Sequence, residues 1–377
     1  MKNIKIPSYE DCVNLCLGES PFYESLKIID GYKISLFNYR LADSRDFNKS
    51  FSKEMRGICF IFNEDGSFFK RYLLLHKFFN LNQTEETMYS NIKDFRILGV
   101  SNKEDGSVAS FIRLPNGNIV GKSKMSFESE QALGMNRLYN SISDLKRFVD
   151  WSLDNDLVAV FEYVAPTNRI VLKYSNEELI LLRLRDNKTG EYLDLSKYSD
   201  KIGSIKVAPS DVGTLDELVE LSHSVEDKEG WIIEFTNGLF IKIKTSWYRN
   251  LHSIYTEDLY HENKLIKLIV DEKIDDIIGE LKNDDILRNR VDEITHIVRN
   301  SINNKIKRIL KLYNVYEKTN SIKEFALLYR NDIDFSDTMK YIKDIYSLGY
   351  ISKDWILKKT NKLERARLFI ESNKTNQ

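Results

Sequence analysis

The sequence predicts an α+β protein: a strand-and-turn N-terminal domain followed by an all-α C-terminal domain. Turn-forming residues are the first indication, since all five prolines lie between Pro7 and Pro209 and glycine thins out beyond Gly238. Short β-branched or aromatic runs bounded by turn residues are the second. Gly57-Ile58-Cys59-Phe60-Ile61-Phe62, Val158-Ala159-Val160-Phe161 and Leu179-Ile180-Leu181-Leu182 read as strands. The third is a change of period near residue 254. Ile274, Ile277, Ile278 and Leu281 recur at helical spacing, as do Val298, Ile302, Ile306, Ile309, Leu310 and Tyr313. The expected domains are therefore 1–253 and 254–377.

A chain of 377 residues exceeds what one hydrophobic core usually organises, which agrees with two domains. With 42% hydrophobic and 30% charged residues the composition is that of a globular protein. No apolar run approaches the ~18 residues of a membrane span, so no membrane partner is expected. The start, Met1 to Pro7, lacks the apolar stretch of a secretory signal, and the cytoplasm is the expected compartment.

Cys12, Cys16 and Cys59 are too few for a disulfide framework, and His261-Glu262 lacks the second histidine of a zinc-protease helix. A hydrolytic zinc enzyme is thereby disfavoured. Net charge is −1, but residues 301–377 hold 16 Lys and Arg against 9 Asp and Glu. On charge alone that excess reads as a solvated helical surface, with a phosphate-contacting surface as the sharper reading.

Two segments resemble one another, Asn63-Glu64-Asp65-Gly66-Ser67 and Lys103-Glu104-Asp105-Gly106-Ser107. Asp-Gly between strand-like flanks signals a hairpin, because glycine accepts the positive φ of the turn. On its own the second copy also reads as a hairpin, but it begins with lysine and so gives a KxDG pattern. Downstream, Phe161 to Val171 places Glu162 near the end of an otherwise apolar strand, where a charge is costly without a partner. Glu229 precedes another strand, Gly230-Trp231-Ile232-Ile233. Phe240-Ile241-Lys242-Ile243-Lys244 alternates strictly, so both lysines share one face, either as an exposed amphipathic strand or as two cations converging on a phosphate.

These residues, in this order, resemble the RNA ligases of T-even bacteriophages, within the lysine-nucleotidyltransferase superfamily. The resemblance spans roughly residues 30–280 and includes Glu54-Met55-Arg56-Gly57, Lys77-Phe78-Phe79-Asn80, Lys122-Ser123-Lys124 and Ser246-Trp247-Tyr248. It implies an ATP-grasp-like nucleotidyltransferase domain of antiparallel sheets with flanking helices over 1–253 and a helical domain for RNA specificity beyond it. Lys103 would attack the α-phosphorus of ATP to form lysyl-AMP, with Asp105 and Gly106 supporting it. Arg56 and Lys77 would hold the triphosphate, Glu162 the ribose, and Lys242 with Lys244 the α-phosphate. Phe37 falls where the family has an aromatic residue near the nucleotide, and Lys124 and Tyr248 match positions needed for ligation. Glu229 and the pair Asp275-Asp276 match residues tied to metal, although two aspartates near a helix start also favour its dipole. The family's Ser-Lys-Gly is here Ser123-Lys124-Met125.

An ordinary lysine, with a pKa of ~10.4, is protonated at neutral pH. Nearby cations or burial would promote the loss of that proton. The implied cofactors are ATP and Mg²⁺. The implied partner is RNA with 5′-phosphate and 3′-hydroxyl ends, such as a nicked tRNA anticodon loop, joined through an RNA-adenylate. Pairing with an end-healing kinase and phosphatase, a monomer, and an infected host cell for a phage-encoded chain complete the expectations. The alternatives are a DNA ligase or capping enzyme, against which no barrel-like segment follows Tyr248, and an inactive RNA-binding relative of the ligase fold.

Overall fold

Strand alternation in the first part of the chain produces three sheets. The computed structural model describes residues 6–18, 20–168, 171–251, 262–270, 274, 278, 285–316 and 321–329. Strands β1 (Phe22–Ile29), β2 (Tyr32–Tyr39), β3 (Cys59–Phe62) and β4 (Phe68–Tyr72) form an antiparallel meander in that order. Between β3 and β4 lies the Asn63–Ser67 turn, with Gly66 at φ 82°, so the first Asp-Gly copy does close a hairpin.

The second sheet has the order β11-β10-β9-β7-β8, all antiparallel, built from β7 (Ser107–Arg113), β8 (Ile119–Ser123), β9 (Leu157–Val164), β10 (Glu178–Asp186) and β11 (Tyr192–Leu193). Its central strand β9 is buried along its whole length, which suits a run that is apolar but for Glu162. The third sheet has the order β12-β6-β13-β14-β5, from β5 (Phe79–Asn80), β6 (Ile97–Asn102), β12 (Ser210–Asp211), β13 (Gly230–Phe235) and β14 (Phe240–Lys244). It departs from the antiparallel expectation at one edge, where the two-residue β5 pairs parallel to β14.

This topology corrects one expectation. Lys103–Gly106 does not close a hairpin, because β6 pairs with β12 and β13 whereas β7 pairs with β8 and β9. The segment passes from the third sheet to the second.

The largest core packs Ile34, Leu36 and Ile61 of the first sheet with Phe111, Val160 and Phe161 of the second. Leu138 and Phe148, from helices Glu130–Ser141 and Ser143–Asp154, cover it. Ser129 caps the first of these helices by accepting from the Ala132 amide at 3.3 Å. A separate cluster joins Ile233, Phe235 and Ile241 of the third sheet to Leu215 and Leu218 of helix Leu215–Leu221.

The chain divides into two compact units, the sheets in one and the helices Glu262–Val270, Asp285–Tyr316 and Ile322–Tyr329 in the other. Within the second unit Leu265, Ile266 and Ile269 are buried, as are Leu287, Val291, Val298 and Ile302 of the long helix, as their helical spacing predicts. No helix among the described residues is long and apolar enough to cross a membrane.

Candidate active site

Three adjacent strand ends of the third sheet build the site. Trp231 at the start of β13 lies opposite Asn102 at the end of β6 and opposite Ile243 near the end of β14. The residues just beyond those ends, Lys103 and Glu229, and Lys244 at the tip of β14, therefore meet. The Lys103 amide donates to the Gly230 carbonyl at 2.9 Å, carrying the register one residue further. Glu229 Oε1 then receives two cations, Lys103 Nζ at 2.6 Å and Lys244 Nζ at 3.1 Å. Gly230 belongs to this arrangement, because a Cβ there would sit 1.9 Å from the Ile243 carbonyl oxygen. The other Glu229 oxygen, Oε2, is buried with no hydrogen-bond partner among the described residues.

From the second sheet comes Glu162, opposite Val108 on β7. Its Oε1 accepts from the Gly106 amide at 3.1 Å. Burial pushes its carboxyl up to about 8, against the pull of the Lys103 charge, while Glu229 raises it further and Arg56 lowers it. Gly106 does not have positive φ; it is required by proximity, since a Cβ would lie 2.3 Å from the Tyr163 carbonyl oxygen.

Asp105 lies beneath and is buried. Oδ2 accepts from the amides of Val171 and Leu172 at 2.8 and 2.7 Å, and Oδ1 accepts from the Tyr248 hydroxyl at 2.7 Å. Three donors satisfy a carboxylate that would otherwise be costly to bury.

Around these groups opens a cavity of about 480 Å³. Arg56, Lys103, Gly106, Lys124, Glu162 and Lys242 line it, together with the rings of Phe78 and Phe240. Lys242 Nζ stands 5.2 Å from the Phe78 ring centre and Lys124 Nζ 5.0 Å from that of Tyr39. An apolar wall facing several cations suits a ligand with an aromatic base and a polyanionic tail.

Phe37 and Lys77 do not line this cavity. Phe37 is fully buried between Tyr9 and Phe60 and does not line the cavity. Lys77 is buried with its ammonium facing Tyr39, Phe47 and Phe79, and it does not line the cavity. Asp275 and Asp276 lie outside the described residues.

The structure adds residues that motif reading missed. Tyr174 accepts from the Asp105 amide at 3.1 Å and donates to Glu104 Oε2 at 2.9 Å, and its only sequence signal is that it follows the Phe161–Val171 stretch. Arg183, from β10, lines the cavity and donates to the Ser101 hydroxyl at 3.1 Å. Arg185 forms a buried pair with Glu54 at 2.6 Å.

Comparison with known proteins follows the same lines. Residues 54–264 match the model of a family described as RNA ligase. A curated protein of Thermovibrio ammonificans named "Putative RNA ligase" is 28% identical over 330 residues, 85% of this chain and 84% of that protein. Among solved structures, an archaeal ATP-dependent RNA ligase aligns with a TM-score of 0.48 and 11% identity, covering 81% of this chain and 79% of the other. The Naegleria gruberi RNA ligase with PPi aligns with a TM-score of 0.32 and 11% identity, covering 62% of this chain and 98% of the other.

Proposed function

The chain belongs to the RNA ligase family, and from that premise we propose that it is an ATP-dependent ligase. It joins an RNA 3′-hydroxyl to a 5′-phosphate through lysyl-AMP on Lys103 and then an RNA-adenylate. The observation that carries this reading is the contact of Lys103 and Lys244 with one oxygen of buried Glu229, beside a cavity walled by cations.

Attack requires Lys103 Nζ to give up a proton, and Glu229 Oε1, 2.6 Å away, is the acceptor in contact with it. Lys244 shares that oxygen and keeps the carboxylate compensated. The Nζ lone pair then forms the bond to the α-phosphorus of ATP. The bond to the bridging oxygen breaks, and pyrophosphate leaves with the electron pair. Arg56, Lys124 and Lys242 stabilise the charge that accumulates on the phosphates. Glu162, which accepts from the Gly106 amide, would hold a ribose hydroxyl. In the second step the RNA 5′-phosphate displaces Lys103 from AMP; in the third the 3′-hydroxyl displaces AMP.

One carboxylate oxygen of the site is left for a divalent ion. Among the described residues no group of three His, Cys, Asp or Glu side chains converges on a metal site. An Mg²⁺ ion carried mainly by substrate phosphates needs only one or two carboxylates, and the unpartnered Oε2 of Glu229 is such an acceptor. When bound, the ion would neutralise charge on the phosphates.

Incubation with α-labelled ATP and magnesium tests the reading. AMP should remain on the protein through a base-stable, acid-labile bond, and Lys103→Ala should remove it. Wild-type protein that takes no label, or takes GMP, overturns it.

The division at 253/254, the use of residues 254–377 to hold a nicked tRNA anticodon loop, and action after an end-healing kinase and phosphatase belong to the same proposal. The basic excess in 301–377, taken with the family, supports the RNA-holding part of it. Equal ligation of nicked tRNA, linear RNA and DNA by the full chain would remove that part.

A further inference from the structure

The first Asp-Gly copy, Asn63–Ser67, has no part in the chemistry, yet the hairpin it closes carries an unusual surface. Phe68 and Phe69 on edge strand β4 are 56% and 38% exposed. The register of β3 and β4 shifts between Ile61 and Phe62: Ile61 pairs with Lys70 and Phe62 with Phe68, leaving Phe69 as the extra residue of a bulge. Phe68 meets Phe62 with ring centres 6.3 Å apart, and Tyr9 closes on Phe62 at 5.2 Å. These rings, with Lys70, Arg71 and Lys188, line a second cavity of about 500 Å³ that shares no residue with the first.

Exposed edge strands are ordinarily protected by charge, which explains Lys70 but not two exposed phenyl rings beside it. Cations rim the rings. Lys33 Nζ stands 5.2 Å from the centre of Phe62, and Lys70 and Lys188 lie 2.8 and 3.8 Å from the Asp156 carboxylate. The cavity lining carries three basic residues against two acidic ones, Glu10 and Asp156, and Lys33 adds a further cation beside it. Rings that accept a base face, set among cations that accept phosphates, are the components of a single-strand nucleic-acid platform.

We propose that the aromatic face of the β3–β4 hairpin, Phe62, Phe68 and Phe69 rimmed by Lys33, Lys70 and Lys188, stacks an unpaired base of the RNA substrate outside the nucleotide cavity. The proposal rests on the RNA ligase reading for the identity of the strand. It separates two tasks of the first unit, holding the nucleotide and holding the RNA.

The test uses the full chain with Phe68 and Phe69 both changed to Ala, and a short 5′-phosphorylated single-stranded RNA containing 2-aminopurine. Affinity should fall roughly 5- to 100-fold, as loss of base stacking predicts, while AMP labelling of Lys103 stays at the wild-type level. Phe68→Leu, which keeps an apolar side chain but no ring, should weaken binding in the same direction. Unchanged affinity in the double variant overturns the proposal and leaves the patch to a protein partner. Full affinity in Phe68→Leu overturns stacking as the cause. If wild type takes no AMP but binds RNA through these rings, the ligase reading fails and the surface stands. Normal labelling with unchanged RNA affinity gives the reverse.

Discussion

The Tyr248 hydroxyl donates to Asp105 Oδ1 at 2.7 Å, bonding helix Ser246–Leu251 to the segment that carries Lys103. Both residues are buried, so the bond is made where water cannot replace it. Tyr248→Phe removes the donor and leaves the carboxylate with its two amide partners. The expected cost is about 2 kcal/mol, since the acceptor is charged, with slower AMP labelling because Lys103 is less firmly placed. Urea denaturation with an unchanged midpoint would show that the bond contributes nothing.

Gly66 and Gly106 occupy the same place in two nearly identical motifs but meet different constraints. Gly66→Ala strains a residue at φ 82° with open space around it, and should cost on the order of 1 kcal/mol without altering labelling. Gly106→Ala drives a methyl group to 2.3 Å from a backbone oxygen beneath Glu162, and should abolish labelling. Equal labelling of the two variants contradicts this account.

Glu162 should make stability depend on pH. Its carboxyl titrates near 8 in the fold, well above the ordinary value of 4.5. Below the unfolded value both states are protonated and the fold incurs no penalty. As pH rises from about 4.5 towards 8 the unfolded state ionises first, so this group's contribution to stability is progressively lost. Glu162→Gln should flatten that decline in a series of urea midpoints. A wild-type curve with the same slope as the variant would refute it.

The buried pair of Arg185 and Glu54 is expected to behave asymmetrically. Glu54→Gln leaves the Arg185 guanidinium uncompensated and should cost about 3–5 kcal/mol, whereas removing both charges should restore part of the loss. A double variant less stable than either single one would contradict this.

The sequence displayed what depends on local spacing. Ile241 and Ile243 are buried while Lys242 and Lys244 are only partly so, as alternation required. The placement of Glu229 just ahead of a strand was equally legible. What stayed hidden depends on distant partners. Lys103–Gly106 looks like Asn63–Gly66, yet the strands that decide its path, β9 and β13, lie far downstream. Arg185 and Glu54 are 131 residues apart, and nothing local marks either as half of a pair. Phe37 shows the converse, because an aromatic residue at a motif position packs equally well into a core.

The stretch between Asn102 and Ser107 is clamped at both ends, Asn102 opposite Trp231 in one sheet and Ser107 opposite Tyr163 in another. A fixed gap bridged by so few residues leaves little slack, since each supplies at most ~3.6 Å of reach. Chain length itself thus fixes where Lys103 can stand. Inserting one residue there would release Lys103 from its anchors without altering a single side chain, and deleting one would pull a strand out of register.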